Sequence, residues 1–148
     1  GRRLDVAGRG PEAERLAALA ARLDAGDRIR LLGHVPDAEL PELMASRRAL
    51  LLPGVEDFGI TPVEAMAAGL PVVALGRGGV LDTVSDGSTG LLYRDPSAAG
   101  LAAALERFET RGPAWDRRVL LEQARRFGPD RFRAGLTARL GALGFGAA

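Results

Sequence analysis

The sequence predicts an α/β protein: an open, doubly wound parallel sheet with extra helices at its C-terminal end. Three observations predict it. Short apolar segments alternate with helical ones at the spacing of strand–helix–strand units. Two strand candidates, Ala49-Leu50-Leu51-Leu52 and Pro71-Val72-Val73-Ala74-Leu75, are apolar without alternation, as strands covered on both faces by helices must be. From Asp95 onward the pattern is helical only.

The elements follow in order. Leu4-Asp5-Val6-Ala7 reads as a short strand, and a helix from about Glu12 carries Leu16, Leu19 and Leu23 on one face. Arg28 to Leu32 is a second strand. Asp37 to about Ser46 is a helix, with Asp37 as its cap and Pro41 in the first turn, where a missing N–H does least harm. The strand Ala49–Leu52 leads to a helix from Pro62 to Ala68, closed by Gly69. The strand Pro71–Leu75 leads to a short helix near Val80 to Ser85, then to the turn Asp86-Gly87-Ser88-Thr89-Gly90 and a last strand, Leu91-Leu92-Tyr93. Asp95 reads as a helix cap with Pro96 at the first helical position, and Leu101, Leu105 and Phe108 form the stripe of that helix. Gly112-Pro113 breaks the chain. Two further helices run through Leu120, Ala124 and Phe127, and through Phe132, Leu136 and Leu140, before a frayed end from Gly141 to Ala148. Residues 1–110 are expected to form the sheet domain, with the helices of 111–148 packed on it.

Composition narrows the chemistry. Of 148 residues, 47% are apolar and 26% charged, which suits a folded domain rather than a disordered chain. Twenty basic residues against 19 acidic leave a net charge of +1, too even for a general nucleic-acid binder. All the basic residues are arginine, so no lysine holds a phosphate or forms a Schiff base. The absence of cysteine and the single His34 exclude zinc sites and Cys-His hydrolases. The longest apolar run, Leu70–Leu75, is far short of the roughly 18 residues of a membrane span.

In doubly wound sheets ligands bind at the carboxyl ends of the strands, so the loops there carry the argument. Gly8-Arg9-Gly10-Pro11-Glu12-Ala13 matches a dinucleotide fingerprint, but the acidic residue expected at the end of the second strand is replaced by Gly33-His34. A glycine turn entering a helix is the better reading. The informative segment runs from Glu56 to Gly69: two glutamates flank seven residues, and the second begins a helix. Thr61 is expected to cap that helix, Pro62 to start it, and Glu64 to complete a capping box at its third position. The N–H groups of Gly59, Ile60 and Thr61 then converge at a helix N-terminus, which favours an anion such as a diphosphate. Glu64 suits a vicinal diol such as a ribose, and Glu56 the hydroxyls of whatever the phosphate carries. On spacing alone, a capping-box Glu64 and a solvated loop Glu56 account for the pattern equally well.

The segment Glu56–Gly69, continued by Leu70-Pro71-Val72-Val73-Ala74 and Gly78-Gly79, resembles the glutamate–seven residues–glutamate signature of family-4 retaining glycosyltransferases. Ala7 to Glu12, Leu32-Gly33-His34-Val35-Pro36-Asp37, Leu52-Pro53 and Gly87 to Tyr93 with Asp95-Pro96 agree with it. The resemblance covers the chain to about Phe108 and, more loosely, the terminal helices. It implies the Rossmann-like, C-terminal half of a GT-B fold, the half that binds the nucleotide-sugar donor. Gly33, His34 and Val35 would lie against the nucleobase. Glu64 would hold the ribose, and Phe58, Gly59, Ile60 and Thr61 would offer amides to the diphosphate and sugar. Glu56, close to the anomeric centre, would be the catalytic residue. The implied reaction moves a hexose with retention from a UDP- or GDP-sugar to an acceptor, using neither metal nor cofactor. The wording of Glu56–Glu64 leans toward mannose from GDP-mannose.

The departures from the family pattern carry expectations too. The arginine and lysine that usually follow the first strand of this half have no counterpart, so the domain is expected to be truncated at its N-terminus. A strand would then be missing between Leu4–Ala7 and Ala49–Leu52, and the fragment alone would be inactive. The acceptor-binding N-terminal half would be supplied by the full-length enzyme, cytoplasmic and at most peripheral at the inner face of a membrane, and only that full-length enzyme would make the membrane contact. Arg77, in the loop Gly76-Arg77-Gly78-Gly79, could reach the site, although a solvated loop arginine is the better reading, and Ser46-Arg47-Arg48-Ala49 departs from the small and acidic residues usual there. The alternative is a non-catalytic module that binds nucleotide or docks on a partner. The Arg-rich terminal helices, interrupted by Glu122 and Asp130, read as a solvated face.

Overall fold

The computed structural model describes residues 2–111 and 115–145. Within them the order is β1 (Leu4–Ala7), α1 (Ala13–Arg22), β2 (Ile29–Gly33), α2 (Leu40–Ala45), β3 (Leu50–Leu52), α3 (Ile60–Ala67), β4 (Val72–Leu75), α4 (Val80–Thr83), β5 (Gly90–Tyr93), α5 (Ala98–Arg111), α6 (Arg117–Arg125) and α7 (Pro129–Ala142). The predicted alternation is present. The break at Gly112-Pro113 and the last three residues of the tail lie outside the described residues. The chain divides into two compact units, Gly1–Leu40 and Pro41–Ala148.

In the first unit β1 and β2 pair in parallel, Leu4 opposite Ile29 and Val6 opposite Leu31, with a slip before Ala7 meets Gly33. Asp5 faces Arg30 across the ladder, and both its oxygens accept from the guanidinium at 2.7 and 2.8 Å. That pairing raises the Arg30 pKa. Helix α1 lies against β2 and buries Ala20, whereas Leu16 and Leu23 of the expected stripe stay exposed. Asp37 does not cap a helix. It opens a turn in which the Pro36 carbonyl accepts from the Glu39 and Leu40 N–H groups at 2.9 and 3.2 Å, so α2 starts later, at Leu40. Pro41 still falls in its first turn.

The second unit holds the sheet β3-β4-β5, parallel throughout, with Leu50 opposite Val72 and Val73 opposite Leu91. Every residue of β4 is buried. Successive side chains of a strand point to opposite faces, and the two layers divide accordingly. Val72 and Ala74 pack with Ala65 and Met66 of α3, Val80 of α4, and Leu120 and Ala124 of α6. Val73 and Leu75 pack with Leu91 and Tyr93 of β5 and with Ala104 and Phe108 of α5. Helices thus cover both faces, and each fully buried aliphatic such as Leu120 contributes about 1.5–3 kcal/mol. Trp115 packs against both layers, stacked on Phe108 with centroids 5.8 Å apart and under the Arg111 guanidinium at 4.2 Å. Among the described residues, β1 pairs with β2 alone and β3 with β4 alone.

Two further local expectations change. Asp95 does not cap α5: its carboxylate accepts the Ser97 N–H at 2.9 Å, and Ser97 Oγ in turn accepts the Gly100 N–H at 3.1 Å. The serine is the cap, and its N–H holds the Asp95 carboxyl below the usual carboxylate range. Arg48, unusual before β3, reaches Glu109 on α5 at 3.0 Å, which ties the entry of the strand to the helix on its face.

Helix α7 buries no residue, and its predicted stripe is at the surface, with Phe132 68% and Leu136 46% exposed. A helix of this length without a packed face is marginal in water. The amides of α7 in this 148-residue chain should therefore exchange with solvent far faster than those of β4. Equal protection by hydrogen-exchange mass spectrometry would contradict this. No helix among the described residues is long and apolar enough to cross a membrane.

Candidate functional site

The loop from the carboxyl end of β3 carries the first glutamate. After Leu52 the chain passes through Pro53 and Gly54 and reaches Gly59, whose φ of +84° is the left-handed conformation that favours glycine. Gly59 is the N-cap, and α3 begins at Ile60. Thr61 is therefore the second helical residue rather than the cap, no side chain caps the helix, and Glu64 is the fifth residue rather than the third. The capping box does not form. The anion-favouring geometry is a separate matter. The N–H groups of Ile60 and Thr61 have no carbonyl within the helix to reach, and Pro62 has no N–H. Two amides and the positive end of the dipole thus face out of the helix beside the loop.

A second loop braces the first. Gly79 N–H donates to the Glu56 carbonyl at 2.7 Å, and Gly78 bridges Glu56 in parallel fashion. A Cβ on Gly78, where φ is +72°, would lie 2.4 Å from the Glu56 carbonyl oxygen. One on Gly79 would lie 2.5 Å from the Asp57 oxygen and 2.6 Å from Phe58 backbone carbons. Behind Gly59, a Cβ would meet the Thr83 hydroxyl at 3.4 Å. The Thr83 carbonyl accepts from Gln123 Nε2 at 2.8 Å, and Arg126 donates to the same amide's oxygen at 3.0 Å. Since backbone rather than a flexible side chain opposes Gly79, Gly79→Ala should shift the Glu56 loop and destabilise the unit by about 1–3 kcal/mol. A thermal midpoint equal to that of the natural chain would refute the brace.

The loop and the first turn of α3 are accessible. Glu56 is half-buried and Glu64 exposed, while Phe58 and Ile60 are each 61% exposed. Phe58, Ile60 and Glu64 thus lie at the surface of the second unit, with Glu56 and Thr61 half-buried and Gly59 buried. Gly33, His34 and Val35 follow or end β2 in the first unit. There Gly33 has φ +65°, its carbonyl accepts the Gly8 N–H at 2.7 Å, and His34 is exposed. No group of three or more His, Cys, Asp or Glu among the described residues is arranged to hold a metal ion. Sequence reasoning noticed Gly78-Gly79 but not their brace on Glu56, and it passed over Gln123. The paired glycines just after a buried strand were the available signal for the first. Gln123 lies 40 residues from Thr83, with no local signal.

Parallel strands covered on both faces by helices, with an acidic loop and a helix N-terminus at their carboxyl ends, define the class of α/β protein that takes ligands at that edge. Comparison gives the family within it. The chain belongs to the glycosyl transferases group 1 family, whose model matches residues 1–127. It is 39% identical over 103 residues to a 2-deoxystreptamine glucosyltransferase of Streptomyces kanamyceticus, covering 69% of this chain and 27% of that protein. It is 37% identical over 105 residues to a D-inositol 3-phosphate glycosyltransferase of Frankia alni, covering 70% of this chain and 26% of the relative. Among solved structures, the sucrose-phosphate synthase of Thermosynechococcus elongatus superimposes with a TM-score of 0.73 at 31% identity, over 84% of this chain and 33% of that one. Anabaena HepE in complex with UDP and glucose superimposes with a TM-score of 0.79 at 26% identity, over 93% and 40%. The fold is thus the Rossmann-like α/β arrangement of GT-B glycosyltransferases, and the chain spans about a quarter of the length of these curated relatives.

Proposed function

We propose that this chain is the donor-binding part of a longer glycosyltransferase that moves a hexose from a nucleoside diphosphate sugar to an acceptor. The observation that carries the reading is the segment Glu56–Glu64, presented at the carboxyl end of a parallel sheet in a member of this family. Glu64 holds the ribose hydroxyls, and Gly33, His34 and Val35 lie against the base. The amides at the start of α3 receive the diphosphate, and Glu56 grips sugar hydroxyls beside the anomeric carbon. As the sugar–phosphate bond breaks, charge grows on the diphosphate, and dipoles already aimed at it lower the barrier. The remainder of the polypeptide binds the acceptor.

The finer assignments belong to the same proposal: retention at the anomeric carbon, catalysis without a metal, and the identity of the sugar. The wording of residues 56–64 favours mannose on GDP. The Streptomyces relative is named a glucosyltransferase and the HepE complex holds UDP and glucose, which supports UDP-glucose instead. Calorimetric titration of the full-length protein with UDP and GDP decides between the bases. Turnover of UDP-glucose or GDP-mannose in EDTA, with NMR of the product's anomeric proton, tests the chemistry. Nucleotide binding without transfer to any acceptor or water would favour a non-catalytic binding module.

A further inference from the structure

A cation beside the diphosphate of the proposed donor would offset its charge, and every basic residue of this chain is an arginine. The loop 53–59 that carries Glu56 holds no basic residue, and the loop braced against it, Gly76-Arg77-Gly78-Gly79, holds one. Arg77 leaves the carboxyl end of β4 with its N–H on the Leu75 carbonyl at 2.7 Å. The next two residues are locked to the backbone of Glu56, Asp57 and Phe58 by the contacts described above. The base of Arg77 is therefore fixed beside the Glu56 loop, while its side chain is exposed and joins no ion pair or hydrogen bond among the described residues. Four other arginines of this unit are engaged elsewhere. Arg48 pairs with Glu109, Arg111 covers Trp115, Arg118 pairs with Asp116, and Arg117 packs on Gly69, at the far end of α3.

We propose that Arg77 is a donor-binding residue that grips the β-phosphate, the phosphate bonded to the sugar. The inference rests on the donor-site reading and adds to it a contact that distinguishes nucleoside diphosphates from monophosphates. The α-phosphate is left to the amides of α3. A guanidinium presents two parallel N–H donors to phosphate oxygens, and this fork is stronger and more directional than a lysine ammonium. Its charge also opposes the charge that develops on the departing diphosphate.

The test uses the full-length protein and calorimetry with UDP, UMP, GDP and GMP. Arg77→Gln should weaken binding of the preferred diphosphate by about tenfold, the loss of one charge-assisted contact, and leave the matching monophosphate unchanged. Arg77→Lys should recover only part of the loss. Because Arg77 is exposed, both variants should keep the thermal midpoint of the natural protein. Equal diphosphate affinity in Arg77→Gln would overturn the proposal while leaving the donor site intact. An equal loss for mono- and diphosphate would also overturn it, since that is the mark of a displaced loop. Failure of the natural protein to bind any of the four nucleotides would overturn the donor-site reading and this inference with it.

Discussion

Glu56→Gln in the full-length enzyme should lower kcat on the order of 10²–10³-fold, the usual loss when one group that stabilises the transition state is removed. The nucleotide should bind as before. The geometry motivates this division. The Glu56 backbone is pinned by Gly79 at 2.7 Å, so a change in its side chain leaves the loop path intact. Glu56 lies four residues before Ile60, whose amide, with that of Thr61, would receive the phosphates. Gln keeps the size and one acceptor oxygen but removes the charge that would favour an electron-poor anomeric carbon. Steady-state turnover with UMP and UDP titrations on the same sample checks the split. Loss of free-nucleotide binding in Glu56→Gln would mean that Glu56 serves the nucleotide and not the sugar.

Glu64→Ala should act in the opposite way. Two hydrogen bonds from ribose hydroxyls to a carboxylate are worth about 1.5–3 kcal/mol each, so nucleotide affinity should fall at least tenfold. Stability should stay within about 0.5 kcal/mol of the natural chain, because Glu64 is exposed, is the fifth residue of α3 and caps nothing. Had the capping box formed, a further loss of about 1 kcal/mol would accompany it. A sharper check pairs the variant with a 2′-deoxynucleotide. The natural protein should bind the deoxy form more weakly, whereas Glu64→Ala should bind both alike, the signature of a shared contact. Equal discrimination by both proteins would remove Glu64 from the ribose.

Much of this was legible along the chain. Four consecutive apolar residues, Val72 to Leu75, have no polar side to give to water, so burial on both faces and helices on each side follow from the composition of one strand. The Glu56–Glu64 spacing, the glycines at 59, 78 and 79, and the exclusion of zinc and thiolate chemistry are likewise local facts. What local rules missed is informative. A threonine before a proline reads as a cap, yet α3 starts two residues earlier, because Gly59 takes the left-handed conformation in a space closed by Thr83 and the Gly79 backbone. Asp95 reads as a cap as well, but its carboxylate is spent on Ser97, which leaves the serine to cap α5.

The sequence by itself determined the alternation of strands and helices, the double-sided burial of β4 and the residues from which a donor site could be made. Those depend on periodicity and on neighbours within a few positions, which every chain carries in its order of residues. Only the tertiary structure decided where α3 begins, that Gly78 and Gly79 hold the Glu56 loop, and that Gln123 secures Thr83 from 40 residues away. It also left Leu16 and Leu23 of α1 and the stripe of α7 at the surface, although their spacing matches that of buried faces. An amphipathic pattern records which face a helix can bury. Whether that face is covered depends on what the rest of the fold brings against it, and that contact joins residues with no shared local signal.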